Sequence, residues 1–273
     1  MLRAPHRGEH HGKQTRAEIL WTAANSGNPD AQYELGDRYR RGDGSFSDFA
    51  AAREWMERAA AQGHAAAQND LGSLVLNGIG GPADASTASL WYTRSAEQGH
   101  PDAQFNLALR YLHGDGVAED AEAAAEWLWR AMQQHHVEAT SQLGTLFRFG
   151  RGVKQSYKVA GYLHMQAGKA GDVVAYGNLA DYHHEVAALA LAGDVQSVLV
   201  MAEINAAGIG VDCNLVEALA WVLVADTARI PSERDDGNER HALKCLGKRL
   251  MDGLGAKERA AAEQRRLAML GVQ

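Results

Sequence analysis

Residues 99–134 read GHPDAQFNLALRYLHGDGVAEDAEAAAEWLWRAMQQ. Ala103, Leu107 and Tyr111 recur every four positions, which sets them on one face of a helix. Gly114-Asp115-Gly116 then interrupts it, because glycine accepts the left-handed backbone with which helices commonly end. A second stripe follows at Ala124, Trp127 and Ala131. The stretch therefore encodes two antiparallel helices joined by a short glycine turn.

Read outward from there, the same layout returns at a step of 36 residues. Leu35, Leu71, Leu107 and Leu143 keep that step, as do Gly36, Gly72, Ala108 and Gly144. Trp55, Trp91 and Trp127 keep it too, with Leu163 in fourth place. Gly27, Gly63 and Gly99 end successive copies, and His135 and Gly171 continue the series. A fixed period of this length marks a solenoid, in which each helix pair buries its apolar face against the next. The expected fold is all-α: a solenoid of antiparallel helix pairs with helical caps at both ends.

Composition agrees. The chain has 273 residues, 46% of them hydrophobic but only 7% aromatic, and alanine and leucine favour helix. A net charge of −7 argues against a nucleic-acid partner. The longest apolar runs, Val186 to Ala192 and Ala218 to Ala225, fall far short of the roughly 20 residues that span a bilayer, so no membrane insertion is expected. No apolar segment follows the charged N-terminal residues, which is unlike a secretory signal. Cys213 and Cys245 are too few for a disulfide framework; they read as small buried hydrophobes in a cytoplasmic protein.

The chain divides into a polar tail (1–15), a capping half-repeat (16–26) with Ile19 in the tryptophan place, and a repeat array (27–230). Units 27–62, 63–98, 99–134 and 135–170 are regular. The stretch 171–192 is irregular: Ala175 and Leu179 start a unit, but no Gly-x-Gly turn follows before Gly193. The pattern resumes over 193–230 with Gly208, Gly210 and Trp221. From Pro231, Ala242, Leu243, Leu246, Leu250 and Met251 form one stripe, Gly253-Leu254-Gly255 ends it, and a helix from Ala256 to Leu270 completes a C-terminal cap (231–273).

The residues of the third copy, Ala103, Leu107, Tyr111, Gly114, Gly116, Val117, Asp120, Ala124, Trp127 and Ala131, resemble the unit of the Sel-one-like repeat family, relatives of the tetratricopeptide repeats. The resemblance covers about residues 17 to 225. It implies a right-handed superhelical α-solenoid that acts as a non-enzymatic scaffold for binding proteins, in bacterial signalling, secretion or envelope assembly. In the tetratricopeptide relatives the first helices of the pairs line a concave groove. Carried onto this chain, that places three rows on the binding face: Tyr33, Asn69, Phe105, Ser141; Asp37, Ser73, Leu109, Thr145; and Arg40, Leu76, Leu112, Arg148. Aromatic and aliphatic anchors with charges at the ends suit a partner peptide or helix. The opposing reading is a merely solvated helix face.

No catalytic, cofactor or metal site is expected. The Gly-x-Gly pairs lack the third glycine of a dinucleotide loop, since Ser47, Ala83, Glu119 and Gln155 stand there. The adjacent histidines His10-His11, His135-His136 and His183-His184 project about 100° apart on a helix, a poor arrangement for chelation. Two alternatives stay open: an enzymatic or metal-dependent site in the irregular unit at His183, His184 and Glu185, and a structural subunit that binds through its convex side or caps. The oligomeric state is not readable from the sequence.

Overall fold

A computed structural model describes residues 15–42, 47–208, 213–227 and 238–272. The polar tail before Thr15, the turn glycines Gly44 and Gly210, and the Pro231-Ser232 break lie outside these. The described residues form fifteen helices and no strands. They fall into two compact units, Met1–His136 and Val137–Gln273.

Unit 1 holds α1 (Arg16–Asn25) and three pairs: α2 (Pro29–Arg41) with α3 (Phe49–Ala61), α4 (Ala65–Leu76) with α5 (Ala85–Glu97), and α6 (Pro101–His113) with α7 (Ala121–Gln133). Each second helix packs on its own first helix, and α3 and α5 pack in addition on α4 and α6, the first helices of the pairs that follow them. Aspartates at a 36-residue step start the second helices. Asp48 accepts a hydrogen bond from the Ala51 backbone, Asp84 from Ser86 and Thr87, and Asp120 from Glu122 and Ala123. The carboxylate satisfies N–H groups that a helix start otherwise leaves unpaired. The second turn glycine has a further task. A Cβ on Gly116 would lie 2.1 Å from the Ala85 carbonyl oxygen, so only glycine lets this turn seat against the start of α5.

The small-residue row also carries a packing role. A Cβ on Gly36 would meet Met56 at 3.0 Å, and one on Gly72 would meet the Tyr92 ring at 2.8 Å. Met56, Tyr92 and Leu128 form the buried row, one residue past each tryptophan. The tryptophan row itself is only partly core, contrary to the sequence expectation. Trp55 is buried but Trp91 and Trp127 are half-buried, each with an arginine three residues on stacked over its ring at 4.4–4.7 Å. A guanidinium over an indole keeps the charge in water while covering the ring. Ile19, in the equivalent place of α1, is 54% exposed; Leu20 and Ala24 fill the cap core instead.

A polar clamp repeats beside this core. Buried Gln32, Gln68 and Gln104 donate to the carbonyls of Ala24, Ala60 and Ala96 on the preceding helix. Gln62, Gln98 and Gln134, just past the ends of the second helices, donate at 2.7–2.9 Å to the side-chain oxygens of those buried glutamines. Each buried amide is thus paired on both sides, which its burial demands.

Unit 2 begins with a regular pair, α8 (Val137–Phe149) and α9 (Tyr157–Lys169). Thr140 and Ala170 stand where the clamp glutamines would be. The irregular stretch is a short pair, α10 (Val173–Ala180) and α11 (His183–Leu191), joined through Asp181 and the buried Tyr182. Then come α12 (Val195–Ala207), α13 (Leu215–Thr227), α14 (Asn238–Gly253) and α15 (Ala256–Met269), around a core that includes Trp221, Leu243, Leu246, Leu250 and Leu254. Met251, expected in the same stripe, is 40% exposed.

Candidate interaction surface

In unit 1 the first helices α2, α4 and α6 carry a continuous strip of polar contacts. The Tyr33 hydroxyl donates to Asp70 at 3.2 Å, and Asn69 donates to the other Asp70 oxygen at 3.1 Å. Asn106 donates to Asn69 at 3.0 Å. Three helices are thereby linked through side chains 37 residues apart. Burial, then the Asp70 charge, push the Tyr33 phenol up to about 12, so it remains a donor to Asp70 across the physiological range. Beside the strip, Asp37 pairs with both Arg40 and Arg41. Ser73 and the buried Tyr92 share a hydrogen bond of 3.0 Å. The aromatic members of the first row are each covered by a histidine of the following copy. Tyr33 stacks on His64 at 4.7 Å and Phe105 on His136 at 4.9 Å. Asp30 and Asp102 face those imidazoles at 3.4 and 3.3 Å.

Not all of the expected row members reach the surface. Asn69 and Leu112 are buried at 6% and 3% exposure, and Ser141 in unit 2 is buried likewise. Leu112 lies four residues past Ala108, so it continues the small-residue stripe into the core rather than facing out. Leu76 is half-buried for the same reason, whereas Arg40, at that position in α2, is exposed. Tyr33, Asp37, Ser73, Phe105 and Leu109 are half-buried and open to contact.

In unit 2 the equivalent positions belong to a different structure. His164 takes the place of Met56 and Tyr92 and is wholly buried. Its Nε2 lies 3.0 Å from the Ser141 carbonyl and 3.2 Å from the Thr145 hydroxyl, and its Nδ1 lies 2.6 Å from the Tyr182 hydroxyl. A carbonyl only accepts, so Nε2 carries the proton and Nδ1 accepts from Tyr182. Burial lowers the His164 pKa to about 4 and raises that of Tyr182, which keeps both neutral. Arg148 closes this cluster. It bonds Asp181 at 3.2 Å and its guanidinium sits over Tyr182 at 4.8 Å and Phe149 at 4.9 Å.

The irregular unit's histidines are less organised. His183 Nδ1 contacts the Ala180 carbonyl at 2.8 Å, and His184, largely exposed, pairs with Glu185. No group of three or more His, Cys, Asp or Glu side chains is placed to hold a metal among the described residues. Both cysteines are free and exposed, correcting the expectation that they are buried. Cys213 has only a long contact with the Ala206 carbonyl, and Cys245 lies 3.5 Å from His241. No described helix is long and apolar enough to cross a membrane.

Paired helices in register, glycine turns and a copied clamp define the class: a helical-repeat solenoid scaffold. The Sel1 repeat matches at residues 29–64, 65–100, 101–136 and 137–172, more than half the chain, and the protein belongs to that family. Among solved structures it is similar to c5321, a protective antigen of uropathogenic Escherichia coli with an SLR fold, at 27% identity and TM-score 0.61. That likeness covers 94% of this chain and 56% of the Escherichia coli chain, so the protein spans little more than half of that relative's length. A Sel1 repeat protein from Oxalobacter formigenes is 28% identical with TM-score 0.56, over 84% of this chain and 69% of that one. No curated protein sequence matches.

Proposed function

We propose that this protein is a non-enzymatic scaffold that receives a peptide or helix of a partner protein on the face presented by its first helices. The observation that carries this reading is the strip Tyr33–Asp70–Asn69–Asn106. Its side chains are ordered before any partner arrives, which reduces the entropy lost on binding. Half-buried Phe105 and Leu109 supply apolar anchors beside it, and Arg40 supplies a charge at its edge. The segments 16–26 and 231–273 serve as caps of the array, and a cytoplasmic setting for bacterial signalling, secretion or envelope assembly fits two unpaired thiols.

A photo-crosslinking residue placed at Leu109, and separately at Leu90 on the outer side of α5, tests this in the full-length protein. Leu90 is 61% exposed and reports on the structural-subunit alternative. The expected result is one partner adduct from Leu109, lost on Arg40→Glu, with none from Leu90. Adducts from Leu90 alone, or indifference to Arg40→Glu, reject the first-helix face as the binding surface.

A further inference from the structure

Helices α12, α13 and α14 enclose a cleft of about 300 Å³ in unit 2. Its floor is apolar, formed by the buried side chains of Leu219, Val222 and Leu243. A Cβ on Gly247 would lie 2.9 Å from Val222, so this glycine lets α14 press directly on α13. On either side of it, Lys244 and Lys248 line the cleft while remaining exposed to solvent. They are four residues apart on α14, hence about 6 Å along the same helix face. Neither is paired with a carboxylate among the described residues. Two ammonium groups without a carboxylate partner thus rim a cleft whose floor is apolar.

We infer that this cleft binds a small single-chain amphiphile with an anionic head, of the fatty-acid class. The two lysines bracket one carboxylate, and the floor takes the chain. The volume is at the lower end for small-molecule sites and equals roughly ten liquid waters, which suits one chain of medium length and excludes a two-chain lipid. The inference is independent of the first-helix face in unit 1.

Calorimetric titration of the full-length protein with submicellar hexanoate, octanoate and decanoate tests it, with decanol and decyltrimethylammonium as neutral and cationic counterparts. One saturable site is expected, tightening by about tenfold for each added pair of methylenes. Replacing both lysines (Lys244→Gln with Lys248→Gln) weakens decanoate by about tenfold and leaves decanol unchanged. Both lysines are exposed, so the double variant retains its fold, checked by circular dichroism. Equal affinity for decanoate and decyltrimethylammonium, an unaltered decanoate affinity in the double variant, or no saturable binding at any chain length overturns the assignment.

Discussion

Unit 1 and the opening of unit 2 solve the same packing problem with different chemistry. In unit 1 every copy carries the glutamine clamp and a buried Met56, Tyr92 or Leu128 opposite the small-residue row. At α8 and α9 the clamp residues are gone, and the buried place is taken by His164, tied to Tyr182 of the short pair. A copied interface tolerates many neighbours, whereas the histidine–tyrosine pair requires one particular partner. The regular unit is held by repetition and the divergent one by a single polar cluster.

The largest effect expected from breaking this contrast lies in the regular unit. Trp55→Ala removes a buried indole and costs about 3–5 kcal/mol, while Trp91→Ala, at a half-buried place, costs less than half as much; urea unfolding of both variants measures the difference. In unit 2, acid is the sharper tool. The folded state holds His164 near pH 4, below its unfolded value of about 6.5, so the unfolded chain takes up the proton first. Stability is therefore lost as pH falls from about 6.5 to about 4, by about 3 kcal/mol for this group. Hydrogen exchange should show α8 to α11 losing protection before α2 to α7 over that interval, and His164→Gln should flatten the dependence. Equal acid sensitivity in both units would reject the cluster as the determinant.

A smaller effect is expected from Gln68→Ala, which removes the buried bonds to the Ala60 carbonyl and from the Gln98 amide, each of which keeps one other partner, at about 1–3 kcal/mol for the two bonds. The smallest separates two arginines that share a row. Arg148→Glu should lose about 1–2 kcal/mol in thermal unfolding, because its side chain is packed over Tyr182 and bonded to Asp181. Arg40→Glu, on an exposed pair with Asp37, should change stability by less than about 0.5 kcal/mol.

The fold was legible in the sequence wherever apolar residues kept both the four-residue and the 36-residue step. Leu35 to Leu143 and Gly36 to Gly144 do so, and they sit where that spacing places them. The clamp keeps the same step at Gln32, Gln68 and Gln104, yet a reading built on apolar periodicity passes over polar residues. The histidine coverage of the face was hidden for a related reason: His64 and His136 matter through residues 31 positions earlier, Tyr33 and Phe105, on a neighbouring copy. Tyr182 could not be placed, because it follows a helix of only eight residues in a stretch where the period fails. Leu112 misled because spacing gives a face but not how far the next helix wraps around it.

The glutamine clamp grips its neighbour through a main-chain oxygen, which every residue type provides. At this bond a copy therefore makes no demand on the residue types of the copy before it. Duplicating, deleting or exchanging a whole 36-residue segment within unit 1 would recreate the same clamp. An array built this way can change length by recombination with this part of the seam already in place.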